Sequence, residues 1–376
     1  MEILKPGSPE ELAAMLGEAG SAGRTVELFG NGSKHRAGGA AAAAQTRISL
    51  SGLDHVLMYE PRDLTVSVGA GMPYSRFTEM LARDGYMVPL DPPFAAQATV
   101  GGVVAANSSG PRRRLFGTAR DLVIGMKFAT IEGKLAQSGG MVVKNVAGLD
   151  MGKLLIGSLG TLGAMAVLNF KLIPLPAASR TFLFEYSILK EAIALRDRIL
   201  HGVLQPVAMD LLNPAAGRGL GRKGWLVAIG VSGNEAVLRR YTRELAGAEA
   251  VEGEAERSFW DYVREFTPRF LEQRPDGVMV RSSLTLSAME AGLEQLPGAV
   301  VARAGNGVCY SHCENVPEAR RALETGRSVM EYGPVSRDSS LVMWPQVDSG
   351  FPIMQRIKQM LDPKNLLNPG RFYGRL

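Results

Sequence analysis

Apolar residues recur along this chain at two spacings, three-to-four and two, and each change of spacing marks an element. Ser8 stands as an N-cap, Pro9 takes the first helical position and Glu11 follows three after the cap, ahead of LAAML; a helix ending at Gly20 is predicted. The runs 25–29 (TVELF), 55–60 (HVLMYE) and 64–70 (LTVSVGA) read as strands, and 73–85 as a helix. KFATIEGKL reads as a strand with a hairpin turn at IEGK.

Beyond Pro174 and Pro176 the rhythm changes. Strand 181–187, helix 190–202, strand 207–212, strand 225–231 and a helix capped by Asn234 follow in turn. SFWDYVREF, helix 287–296, AVVARA, GVCYSH and PEARRALETGRSVMEYG continue the alternation. This order predicts an α+β domain, ferredoxin-like, with an antiparallel sheet and helices on one face. The expected organisation is a first domain at 1–176, an α+β cap at 177–345 and a tail at 346–376 that returns to the first domain. In the tail, Asp362-Pro363 and Asn368-Pro369-Gly370 after a short amphipathic helix specify a path rather than a frayed end.

Composition narrows the classes. The chain of 376 residues, 46% hydrophobic and 21% charged, has the makeup of a soluble globular protein with a full core. Cys309 and Cys313 cannot staple a fold of this size, which suits a reducing, cytoplasmic setting. MEILKPGSPEEL lacks the pattern of a secretory signal. The uncharged run 154–170 holds Gly157, Gly160 and Gly163 with Ser158, Thr161 and Asn169, and reads as a glycine turn entering a buried strand rather than a membrane span. A net charge of +5 favours an anionic ligand. Basic residues are scattered apart from Arg112–Arg114, which read as a solvated run, and no nucleic-acid-binding pattern occurs, so nucleic acid is not an expected partner.

Glycine concentrates where chemistry is expected: thirteen of 44 lie between Gly101 and Gly163. LFGNGSK, directly after a strand, allows successive N–H groups to converge into an anion nest, with Ser33 and Lys34 adding a hydroxyl and a charge. Charge-assisted hydrogen bonds of about 1.5–3 kcal/mol each would retain a phosphorylated cofactor. ATVGGVVAANSSGPRRRLFG offers a bare backbone beside positive charge, and GGMVVKNVAGLDMGKLLIGSLGTLG surrounds Lys144, Asn145 and Asp150 with glycines. Neither a Walker A loop nor a Rossmann fingerprint is present.

GNGSK, ATVGGVVAANSSGPRRRLFGTARDLVIG, GGMVVKNVAGLDMGKLLIGSLGTLG and DPKNLLNPGRF, in this order, resemble the FAD-binding domain shared by p-cresol methylhydroxylase and vanillyl-alcohol oxidase. Within that superfamily they are most similar to the FAD-binding subunits of bacterial glycolate oxidases. The resemblance implies FAD as cofactor, with Gly30, Asn31, Gly32, Ser33 and Lys34 around the pyrophosphate. It implies that Thr99, Val100, Gly101, Gly102, Asn107, Ser109 and Gly110 line the flavin and ribityl chain. Arg120, Asp121, Gly157, Gly160, Thr161 and Gly163 would border the cofactor channel, and Asn368 would return from the tail towards the ring. Arg120 and Asp121 also read as a loop-fixing ion pair. Relatives often have Gly-Tyr-Asp where this chain has Gly148-Leu149-Asp150, so a role of that tyrosine is not carried over; His35 lies beyond the GNGSK core, which favours non-covalent flavin.

A flavin oxidises a 2-hydroxy acid when a base takes the hydroxyl proton and an arginine fixes the carboxylate. His35, His55, His201 and His312 are the available histidines, and His312 is the catalytic candidate, with a satisfied strand residue as the alternative. Arg281 and Arg303 each end an apolar run, placed to face a carboxylate or to snorkel outward. No metal is expected: Cys309 and Cys313 supply too few ligands for a cluster or structural zinc. The resemblance implies an FAD-dependent oxidoreductase subunit working beside a catalytic flavoprotein subunit and an iron–sulfur subunit on glycolate or D-lactate. The complex would be cytoplasmic or peripheral at the inner face of the cell membrane. A non-catalytic FAD-carrying subunit and an NADPH-dependent reductase on the same fold are the alternatives.

Overall fold

The computed structural model describes residues 2–39, 43–142, 150–325, 327–335, 341–345, 347 and 349–376. It divides into two compact units, one of 1–109, 117–175 and 347–376, the other of 110–116 and 176–346.

In the first unit, helix Pro9–Ser21 begins as its sequence specifies: Ser8 Oγ accepts from the Glu11 amide at 3.1 Å. It does not stop at Gly20. Gly20 lies within the helix against the Ile131 carbonyl, where a Cβ has no room, and Gly23, at φ 65°, takes the left-handed turn. Leu12 and Leu16 pack on a small parallel sheet ordered Ile3–Leu4, Thr46–Ser49, Val26–Phe29. A five-stranded antiparallel sheet runs Val56–Glu60, Thr65–Gly69, Ala164–Lys171, Val123–Ala129, Leu135–Gly139. Helix Tyr74–Arg83 sends Phe77 and Leu81 into the core beside Val66 and Phe170. The uncharged run 154–170 is broken as expected, into the end of helix Gly152–Leu155, a turn and the buried strand Ala164–Lys171. Among the described residues no helix is long and apolar enough to cross a membrane.

Helix Phe351–Leu361 and the residues after it belong to this unit. Leu367 bridges Val26 in parallel, so the tail adds one more rung beside strand Val26–Phe29.

The second unit is an eight-stranded antiparallel sheet. Its order is Glu249–Val251, Ala178–Tyr186, Trp225–Gly233, Ala208–Leu212, Ala299–Arg303, Val308–Cys313, Val278–Ser283, Arg327–Tyr332. Helices cover both faces, not one. Tyr241 of helix Glu235–Glu244 stacks on Phe182, whereas Phe259 and Val263 of helix Gly253–Arg264 pack with Leu183. Successive strand residues point to opposite faces, so Phe182 and Leu183 bury different helices. The second of these helices contains SFWDYVREF up to Arg264.

Candidate functional site: a glycine-walled cavity in the first unit

Strand Val26–Phe29 ends where its chain turns into Gly30–Lys34, and a cavity of 320 Å3 opens at this point. Such a volume suits a small-molecule or cofactor site. Gly30, Asn31, Gly32, Ser33, Lys34, Thr99, Gly101, Gly102, Gly160, Gly163 and Asn368, all expected at a cofactor, line it together.

Each wall has a local cause. Gly32 adopts φ 74°, and the His35 amide donates to its carbonyl at 3.1 Å, closing the loop into a turn. A Cβ on Gly30 would fall within 2.8 Å of Thr99 Cγ2, so the loop lies directly on the start of helix Val100–Ala105. Thr99 caps that helix, its Oγ1 accepting from Gly102 N at 3.1 Å. Gly101 is bare for a packing reason: its Cβ would sit 2.7 Å from that of Ala70. Gly160, at φ 74°, would carry a Cβ 2.7 Å from Asn368 Nδ2.

The tail closes the cavity from 340 residues away. Asn368 Oδ1 accepts from Leu28 N at 2.7 Å, while its Nδ2 donates to Leu28 O at 3.3 Å and Leu159 O at 2.7 Å. Behind it lies a buried ion pair between Lys358 Nζ and Asp362 Oδ2, 2.6 Å apart. Lys358 also donates to the Thr161 carbonyl, and Asp362 accepts from the amides of Leu366 and Leu367. Burial lowers the Lys358 pKa, against the opposing pull of Asp362.

The other expected cofactor residues lie outside the cavity lining. Val100 is in the core. Thr161 Oγ1 donates to the Ser158 carbonyl, Gly157 takes φ 84°, and the Gly110 carbonyl accepts from Arg113 N. Asp121 is the reciprocal half of a capping box with Thr118, and Arg120 donates to the Lys153 carbonyl, so each fixes its loop separately rather than as a pair with the other. Lys144, Asn145 and Gly148-Leu149 lie outside the described residues. Asn107 and Ser109 stand out for another reason. Among the described residues, Asn107 Oδ1, Ser108 Oγ, Ser109 Oγ and Ser158 Oγ are buried without hydrogen-bond partners. A buried oxygen left unpaired costs about 1–3 kcal/mol, so these four need bound water or a ligand with polar edges. The 104–109 and 157–159 segments lie together, Gly157 N donating to Val104 O and Leu159 N to Ala105 O.

Sequence reasoning passed over Glu27, Phe29, Arg47 and Arg371, which also line the cavity. Arg371 lay within the quoted NPGRF block; its guanidinium donates to the carbonyls of His35 and Ala37, tying the tail to the first loop.

The three catalytic candidates are in the second unit and are engaged there. His312 is buried between the Phe266 and Phe270 rings, Nε2 at 2.8 Å from Thr267 Oγ1 and Nδ1 at 2.9 Å from the Ala299 carbonyl. The carbonyl only accepts, so Nδ1 carries the proton and Nε2 accepts from the threonine. Burial holds its pKa down at about 4. Arg303 is buried in an ion pair with Asp210 and lies over the Tyr310 ring. Arg281 pairs with Glu331 at 3.0 Å and is the most accessible of the three. Burial pushes the Cys309 and Cys313 thiols up to about 12 and about 11.

A glycine-lined cavity beside a strand end, closed by a returning tail, fits a dinucleotide flavin. A family profile described as an FAD binding domain matches residues 2–139, and one described as the C-terminal domain of FAD linked oxidases matches 346–372. The chain belongs to the FAD-linked oxidase family, and its cofactor is FAD. It is 32% identical over 324 residues to glycolate oxidase subunit GlcE of Escherichia coli K12, covering 85% of each chain. It is 25% identical over 414 residues to the mitochondrial cytochrome-type D-lactate dehydrogenase of Arabidopsis thaliana, covering 98% of this chain and 72% of that one. The fold matches p-cresol methylhydroxylase with a TM-score of 0.75 at 12% identity, over 99% of this chain and 88% of that one.

Proposed function

We propose that this chain is the FAD-carrying subunit of a glycolate oxidase-like complex, in the oxidation of glycolate or D-lactate. The reading rests on one observation above the rest: the first loop, the helix capped by Thr99, the 157–163 turn and Asn368 converge on one cavity, in a chain whose relative GlcE covers 85% of its length. Bound FAD supplies two-electron chemistry at a CH–OH carbon. The chain's own residues bind and orient it: main-chain groups of Gly30–Lys34 for the phosphates, and the unpaired oxygens of Asn107, Ser109 and Ser158 for polar edges.

A second reading, in which this chain holds electrons while a partner oxidises the substrate, is favoured by the second unit. His312 is neutral and bonded on both nitrogens, and Arg303 is occupied by Asp210. Neither is available to a substrate as it stands, and Arg281, the most accessible of the three, is itself held by Glu331. The partners in this reading are a catalytic flavoprotein and an iron–sulfur subunit, with the assembly in the cytoplasm or at the inner membrane face.

The test is a visible spectrum of the purified chain, then anaerobic addition of glycolate, D-lactate and NADPH in turn, alone and in the complex. Bleaching by a 2-hydroxy acid with the isolated chain supports direct oxidation. Bleaching only in the complex supports the relay. Bleaching by NADPH alone, or absence of flavin, overturns both.

A further inference from the structure

Part of the cavity wall is side chain rather than backbone. Strand Val26–Phe29 turns Val26 and Leu28 into the core and leaves Glu27 and Phe29 on its other face. Arg47 lies in register with Glu27 on the neighbouring parallel strand. Its Nε donates to Glu27 Oε2 at 2.6 Å, and its guanidinium stands 5.0 Å over the Phe29 ring. All three line the cavity that the Gly30–Lys34 loop opens.

This trio has no use for a phosphate. A carboxylate beside an anion nest repels the anion; paired with Arg47 it is neutralised in charge and still presents an acceptor oxygen. A planar guanidinium on an aromatic ring offers a flat polarizable surface. The ligand group that suits both is flat, uncharged and equipped with an N–H donor. FAD carries two such groups, the isoalloxazine with its N3–H and, beyond the pyrophosphate, the adenine with its exocyclic amine. With the flavin end read on the 99–110 segment, the adenine is the group left for the trio, and FMN lacks it. Strand register and the ion pair hold the trio in place beforehand, so little ordering cost falls on binding.

We propose that Glu27, Phe29 and Arg47 recognise the adenosine half of the cofactor and make the cavity selective for FAD over FMN. The inference rests on the FAD assignment, and the two fail differently. If the full chain binds no flavin, the cofactor reading fails. If it binds FAD but the trio does not discriminate adenosine, only this inference fails.

The experiment is calorimetric titration of the full chain, stripped of flavin, with FAD, ADP and FMN. For Arg47→Ala the dissociation constants for FAD and ADP rise about tenfold or more, whereas that for FMN changes less than about twofold. Arg47→Lys keeps the charge opposite Glu27 and the melting temperature but loses the planar stack, so it shows the same selective loss and guards against misfolding. Equal losses for all three ligands, or an unchanged ADP affinity in both variants, would overturn the proposal.

Discussion

Asn368 and Leu28 exchange two hydrogen bonds across 340 residues of sequence, the amide of one side chain satisfying both main-chain groups of the other residue. Asn368 is held at φ 43°, a conformation asparagine tolerates better than most residues. Asn368→Ala leaves a buried N–H and C=O unpaired and strains the backbone, and should cost about 2–4 kcal/mol. A drop in melting temperature together with faster flavin loss is expected; an unchanged melt would contradict the clamp.

The buried pair behind that clamp predicts a second effect. Asp362→Ala strands the Lys358 ammonium and removes the acceptor of two amides, an expected loss of about 3–5 kcal/mol. Lys358→Met leaves Asp362 with its two amides and should cost less than Asp362→Ala. Urea denaturation of the two variants measures the order.

His312 gives the second unit a pH dependence of definite sign. Unfolded, the imidazole titrates near 6.5; folded, burial holds it near 4. Between these values the unfolded chain binds the extra proton. Stability is therefore complete above pH 6.5 and falls as pH drops towards 4, by up to about 3 kcal/mol. Trp225, Trp260 and Trp344, the chain's three tryptophans, all belong to this unit, so their fluorescence in denaturant series at several pH values reports it directly. His312→Phe should flatten the profile, whatever it does to stability at neutral pH.

Cys309 and Cys313 are buried, free and pushed to about 12 and about 11. Thiolate is the reactive form, so neither should react with an aromatic disulfide reagent in the native chain at pH 8, and both should react on unfolding. Rapid labelling of either thiol in the native protein would contradict this burial.

Local features were legible in the sequence where a residue acts on its near neighbours. The Ser8 cap, the broken apolar run ending in a buried strand and the glycine loops all state their conformation within a few residues. What escaped depends on distant packing. Gly20 looked like a helix end because its need for a missing Cβ comes from Ile131, not from its own turn. Glu27 lies in a predicted strand but Arg47 in one the sequence did not mark, and only the pairing of the two strands brings them together at the cavity. Lys358 is subtler: in helix Phe351–Leu361 it is the buried residue, while Ile353 and Met360 are exposed, the reverse of what an amphipathic pattern indicates. A partner four residues on, the Leu367 carbonyl nine residues on and the distant Thr161 carbonyl explain the reversal, and periodicity carries none of them.

The order in which the polypeptide leaves the ribosome gives the returning tail a further meaning. Most of the second unit is contiguous and can condense as it emerges, whereas strand Val26–Phe29 must wait for Leu367 and Asn368 before its last rung and its clamp exist. A chain cut short before Asp362 lacks the rung, the clamp and the tail's contribution to the cavity wall together.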